Sequence, residues 1–177
     1  MPKRSWWGAL CGYGLYPFHF SVYFLVQILF RPAGASFIFV LVNDSQMLVI
    51  LFAAGKTYRL RVHNVGISTS LDFRIQNHNL LLVETEGSYT VQQNYTNVDV
   101  HVGQSYSFLV RMDQNASSDY YIVASPRFVN SSAWGSATGA AILHYSNSQG
   151  PASGPLPDLP NENDPYFSMN QARSIRL

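Results

Sequence analysis

An all-β antiparallel sandwich is the fold that this sequence predicts, and three observations predict it. From Lys56 onward apolar and polar residues alternate with a period of two, which sends successive side chains to opposite faces of a strand. Clusters of Gly, Asn, Asp and Ser interrupt the alternation at short intervals, as turns do. No stretch after residue 55 carries the long 3.6-residue apolar period of a core-facing helix.

The elements follow in order. Tyr58, Leu60 and Val62 form one inward set, with Arg59, Arg61 and His63 on the opposite face. Asn64-Val65-Gly66 is a turn signal, and Leu71, Phe73 and Ile75 repeat the alternation. Leu80–Val83 is a short continuous apolar run, closed by the turn residues Glu86-Gly87-Ser88. Val98, Val100 and Val102 alternate with Asp99 and His101, and Tyr106, Phe108, Val110 and Met112 make the next inward set. Tyr120–Ala124 and Ala140–Tyr145 supply two more strands. About six or seven short strands with regular turns is the pattern of a sandwich.

The flanks differ in texture. Residues 1–54 begin with Lys3 and Arg4, continue through an apolar run from Phe18 to Phe30, and reach the small residues Ala33-Gly34-Ala35. Positive start, apolar middle and small-residue end follow the order of a secretory signal. Two further apolar runs, Phe37–Val42 and Met47–Ala54, follow, and none is long enough for a confident membrane span. This leader admits three readings: a signal, a membrane anchor through residues 18–54, or a misjoined segment. Residues 55–147 hold the sandwich. Residues 148–177 open on GPASGPLPDLPNEND after Ser148, where proline removes backbone donors and predicts an extended, semi-rigid connector.

Composition excludes several functions. Apolar residues make up 47% of the chain, enough for a core, while charged residues make up 12% and the net charge is +1. Lys3 and Lys56 are its two lysines, so no basic patch for nucleic acid can be built from them. The single Cys11 permits no internal disulfide. Sequons at Asn43, Asn94, Asn115 and Asn130 make these glycosylation candidates and favour a secreted, extracellular chain of the apoplast or cell wall.

Several segments together carry a resemblance. They are Gly55-Lys-Thr-Tyr-Arg-Leu-Arg-Val, Asn77-His-Asn-Leu-Leu-Leu-Val-Glu-Thr-Glu-Gly, His101-Val-Gly-Gln-Ser-Tyr-Ser, Asp113-Gln-Asn, Leu143-His-Tyr-Ser-Asn-Ser and Phe167-Ser-Met-Asn-Gln-Ala-Arg-Ser-Ile-Arg. Over residues 52–177 the chain resembles the second plastocyanin-like domain of plant ascorbate-oxidase homologues, the skewed-growth and pollen-specific branch of the multicopper oxidases. The resemblance implies an antiparallel Greek-key cupredoxin sandwich and neighbouring cupredoxin domains as partners. In the parent family copper is held by the flanking domains, and the middle domain is a spacer, which implies no cofactor in this chain. The Pro-rich connector would then lead toward a third domain, and Phe37–Ala54 would stand where the family has an entry strand. An isolated chain lacking that strand is expected to aggregate unless Phe37–Ala54 folds back as a substitute.

A blue-copper centre needs two His and a Cys thiolate, and Cys11 lies far from any His at cupredoxin spacing. His19, His63, His78, His101 and His144 include no His-x-His pair, the arrangement that points two rings to one face of a strand. No metal ligand or catalytic residue is therefore assigned. His78 is expected as a loop imidazole bonded to backbone, and His63 and His101 as solvated or domain-contact residues. Glu84 and Glu86 are expected to be exposed beside the turn at Gly87. Arg59, Arg61 and His78 are the candidates for contact with a neighbouring domain. The function expected is a structural spacer. An active oxidase with copper in other domains, and a membrane- or wall-associated binding module, are the alternatives.

Overall fold

The computed structural model describes residues 23–29, 36–42, 48–66, 69–129, 138–160 and 164–176. Among these, eleven strands and one helix are laid out as β1 (Tyr23–Leu29), β2 (Ser36–Val42), β3 (Leu48–Phe52), β4 (Thr57–Asn64), β5 (Leu71–Ile75), β6 (Leu80–Thr85), β7 (Ser88–Tyr95), β8 (Asn97–Val100), β9 (Ser105–Arg111), β10 (Tyr120–Pro126), β11 (Gly139–Tyr145) and α1 (Pro165–Ser174). The strands form a six-stranded sheet in the order β2-β1-β4-β9-β6-β7 and a five-stranded sheet in the order β3-β11-β10-β5-β8. Every pairing is antiparallel except β3 with β11. The chain crosses repeatedly between the sheets, so β9 lies between β4 and β6, a Greek-key sandwich.

The alternation read from the sequence is what packs. Tyr58, Leu60 and Val62 of β4 are buried, as are Tyr106, Phe108 and Val110 of β9. They meet Phe73, Ile122, Leu143 and their neighbours from the facing sheet in one apolar core. The β6–β7 hairpin turns on Glu86 and Gly87, both with positive φ (47° and 84°), between the paired Thr85 and Ser88. A two-residue loop of this kind matches the right-handed twist of its strands, and glycine adopts its second position without steric cost.

Three strands arise in the apolar leader. Met47–Ala54 contains β3, Phe37–Val42 makes up all of β2 but its first residue, and β1 pairs with β4 so that Val26 opposes Val62. Strand β3 folds back onto β11, placing Ile50 and Phe52 in the core. Phe52 meets the edge of Tyr58 at 4.9 Å, and the Tyr58 hydroxyl accepts from the Ala53 amide at 2.8 Å. Part of Met47–Ala54 thus folds back onto the sandwich as β3, ahead of Gly55.

The segment read as connector also differs from expectation, since its last part is helical. Asp164 caps α1 by accepting from the Tyr166 amide at 2.9 Å, and Pro165 stands in the first turn, where no amide is needed. Gln171 then grips an edge strand: its amide donates to the Asp99 carbonyl at 2.8 Å and its oxygen accepts from the Asp99 amide at 2.7 Å. Beyond the helix, the Arg176 carbonyl accepts from the Val91 amide at 2.8 Å, and Tyr95 bonds Ser174 at 2.6 Å. The chain end thus ties β8 of one sheet to β7 of the other and covers two strand edges.

Candidate functional site

Four histidines are described, and each is held by hydrogen bonds within the chain. His63 Nδ1 lies 2.6 Å from the Ser105 hydroxyl, and His144 Nδ1 lies 2.9 Å from the Asp119 carboxylate. His101 sits between Ser70 at 2.7 Å and Ser168 at 3.3 Å. His78 is fixed by the Gln76 carbonyl at 2.7 Å and the Tyr145 hydroxyl at 2.9 Å. Among the described residues no three His, Cys, Asp or Glu side chains gather where they could hold a metal ion. The residues described do not supply the two imidazoles and thiolate of a blue-copper centre. Cys11 and His19 lie outside the described residues, as do the sequons at Asn43 and Asn130.

His78 requires a correction as a contact residue. It is 3% exposed, turned inward from the β5–β6 loop by Asn77 with φ at 58°. Tyr120 and Tyr145 enclose it, so its ring presents no surface to a partner. Burial lowers its pKa, and burial followed by the nearby Arg61 lowers that of His63.

Arg59 and Arg61 lie on the outer face of the six-stranded sheet, where they converge on Glu84. Arg59 pairs closely with the Glu84 carboxylate, Arg61 approaches it at 3.7 Å, and the Ser107 hydroxyl donates to it at 2.9 Å. Glu84 does not stand free beside the turn, because β9 brings β6 and β4 to either side of it. Only Glu86 remains exposed, its carboxylate accepting from the Ser105 amide at 2.6 Å. The two carboxylates are thus engaged by different partners. Asn94 and Asn115 are both exposed, and Asn115 folds its sequon into a local turn by accepting from the Ser117 amide and hydroxyl.

The most developed polar structure lies on the other sheet, beneath the connector. All five residues of β5 are buried, so its polar face is covered as well as its apolar one. Arg74 donates to Asp72 at 2.7 Å and to Ser125 at 3.1 Å, while Asn97 donates to the other Asp72 oxygen at 2.7 Å. Arg127 donates to Asp99 at 2.9 Å. Burial pushes the Asp72 carboxyl up to about 6, against the opposing pull of Asn97 and Arg74. Burial raises Asp99 as well, against the pull of Arg127.

The same cations reach the connector. Proline lacks the amide that a strand would use, so the connector's carbonyls must find donors elsewhere. Arg74 supplies one to Pro157 at 2.9 Å and Arg127 one to Pro160 at 3.0 Å. Tyr121 donates to Ala152 at 3.2 Å and Gln76 to Ser153 at 3.3 Å. Beside this latch lies an open cleft of about 520 Å³, bordered by Asn77, Asn79, Asn97, Leu156 and Asp158. The sequence reading missed Asp72, Arg74, Asp99, Arg127 and Gln171. Charges two apart on a strand signal a solvated face unless something covers them, and here the Pro-rich segment is the cover.

The family model of the multicopper oxidases matches residues 29–148. The chain belongs to the multicopper oxidase family. Monocopper oxidase-like protein SKS2 of Arabidopsis thaliana is 72% identical over 123 residues, which cover 69% of this chain and 21% of that protein. An L-ascorbate oxidase homolog of Nicotiana tabacum is 44% identical over 137 residues, 76% of this chain and 24% of that protein. The crystal structure of Fet3p, a multicopper oxidase that functions in iron import, superposes with a TM-score of 0.57 at 22% identity, over 71% of this chain and 24% of that one. That likeness shows the fold, a cupredoxin sandwich. The chain thus spans about a fifth to a quarter of the length of these two curated relatives. Among the described residues no helix is long and apolar enough to cross a membrane.

Proposed function

We propose that this chain is the middle cupredoxin module of a secreted multicopper-oxidase-like protein. It is a structural spacer whose neighbours, not itself, carry copper. The observation that carries the reading is the latch over the five-stranded sheet. Arg74 and Arg127, each paired with a buried aspartate, spend further donors on the carbonyls of Pro157 and Pro160. An arm held at several points along the sheet, and followed by an α1 that Gln171 fastens to β8, keeps one fixed course over the module, as a spacer that sets domain geometry requires. The internally bonded imidazoles support the same reading. The partly exposed Arg59–Arg61–Glu84 group offers a polar face for a neighbouring cupredoxin domain. The exposed sequons at Asn94 and Asn115 support the secretory route.

The test is limited proteolysis of the full chain and of its Arg74→Ala variant. The native connector, residues 148–160, is expected to resist cleavage while the variant is cut there first. Equal cleavage of the two would contradict the rigid-arm reading. A second reading draws on the match to the tobacco L-ascorbate oxidase homolog: a full-length parent that is an active oxidase, with its copper in other domains.

A further inference from the structure

Tyr145 lies at the end of β11, fully buried, with its hydroxyl 2.9 Å from Nε2 of the nearly buried His78. The tautomer of His78 follows from its other contact. Nδ1 lies 2.7 Å from the Gln76 carbonyl, which can only accept, so Nδ1 carries the hydrogen. Nε2 is therefore the free base of the ring, and the Tyr145 hydroxyl donates to it. The same phenolic oxygen accepts from the Gln114 amide at 3.3 Å. The proton of Tyr145 and one acceptor direction of its oxygen are thereby accounted for by one base and one fixed donor.

Other tyrosines of the chain give their protons to groups that cannot take them. Tyr106 donates to the Gln104 side-chain oxygen, Tyr120 to the Asn115 carbonyl and Tyr121 to the Ala152 carbonyl. An amide oxygen accepts a hydrogen bond but is far too weak a base to keep the proton. An imidazole keeps it.

We propose that Tyr145 and His78 form a proton-coupled redox pair, oxidised by a high-potential, outer-sphere one-electron oxidant. One electron leaves the Tyr145 ring and reduces the oxidant by one. The phenolic O–H bond breaks and an N–H bond forms at His78 Nε2, leaving a neutral tyrosyl radical beside an imidazolium. Return of one electron from a reductant of the medium, with the proton moving back from Nε2, restores the pair.

Burial disfavours the imidazolium, and two neighbours oppose that penalty. The Nδ1 hydrogen bond to Gln76 strengthens as the ring becomes cationic, and the Asp113 carboxylate acts in the same direction on His78. Burial keeps the proton from exchanging with solvent, so it remains where the radical can recover it. Tyr120 stands edge-on to both partners, 5.1 Å from the His78 ring and 5.8 Å from the Tyr145 ring, and gives the electron an aromatic neighbour on its way out. The inference is independent of the spacer reading, since it uses neither the latch nor a copper ion.

The test is photo-oxidation of the full chain with a tris(bipyridyl)ruthenium sensitiser and persulfate, freeze-trapped for electron paramagnetic resonance. The native chain is expected to give a tyrosyl signal that Tyr145→Phe largely loses. His78→Gln, which keeps an acceptor but removes the base, is expected to lose it too. An undiminished signal in either folded variant overturns the proposal. Should a variant fail to fold, 3,5-difluorotyrosine placed at position 145 keeps the shape of the native side chain. A changed hyperfine pattern then supports the assignment, and an unchanged one overturns it.

Discussion

Asp72 gives the chain a pH dependence opposite to that of most carboxylates. Its carboxyl is buried against Arg74 and Asn97, and burial raises it from the ordinary 3.8 to about 6. Between those two values the folded chain holds a proton that the unfolded chain has released. Stability therefore falls as pH rises through that window, rather than as pH falls. Each pH step across it costs about 1.4 kcal/mol, so the window is worth about 3 kcal/mol. Asp99, raised in the same direction, adds to the trend. Asp72→Asn removes the titration while keeping the shape and an acceptor for Arg74. Urea unfolding of both chains, followed from about pH 4 to about pH 7, isolates the contribution as the difference between their slopes. The native chain is expected to lose about 2.4 kcal/mol more than the variant across that range, because the unfolded carboxyl is already partly protonated at its lower end. Parallel curves would refute the assignment of a raised, buried carboxyl to Asp72.

Other consequences follow from the packing and the surface. Phe52→Ala is expected to cost about 3–5 kcal/mol in the same assay, because the ring is fully buried beside Tyr58; a cost under about 1 kcal/mol would remove β3 from the core. Gln171→Ala strips two buried hydrogen bonds from Asp99, for about 1–3 kcal/mol, and should speed hydrogen exchange selectively in α1. Expressed through a secretory route, the chain should carry glycan at Asn94 and Asn115, visible as mass lost in the Asn→Gln variants.

Much of the sandwich is legible because half-buried strands betray themselves by alternation. Strands β4, β5 and β9 fall where apolar and polar residues take turns, and β10 and β11 fall on short apolar runs. Strand β7 escaped notice because it is an edge strand exposed along most of its length, and Tyr89 and Val91 point to solvent. Without burial there is no pattern to read. Helix α1 is short and meets the strands largely through the polar side chains of Gln171, Ser168 and Ser174, so it leaves no apolar period, though Asp164-Pro165 is a fair start signal. The polar site was the least legible. Asp72 and Arg74 look like a solvent face until the connector covers them, and sequence spacing does not tell that Arg74 reaches a carbonyl at Pro157. The Arg59–Arg61 stripe was visible, but its counter-charge arrives from β6 through a sheet neighbour that spacing cannot reveal.

The central claim, a cupredoxin module that holds no copper of its own, is tested most directly by elemental analysis. The full chain, expressed with copper supplied and then dialysed, would be assayed for metal content. The account predicts copper far below one ion per chain and no thiolate-to-copper absorption band. One tightly held copper ion per chain, lost with Cys11→Ser or with replacement of a histidine, would contradict it.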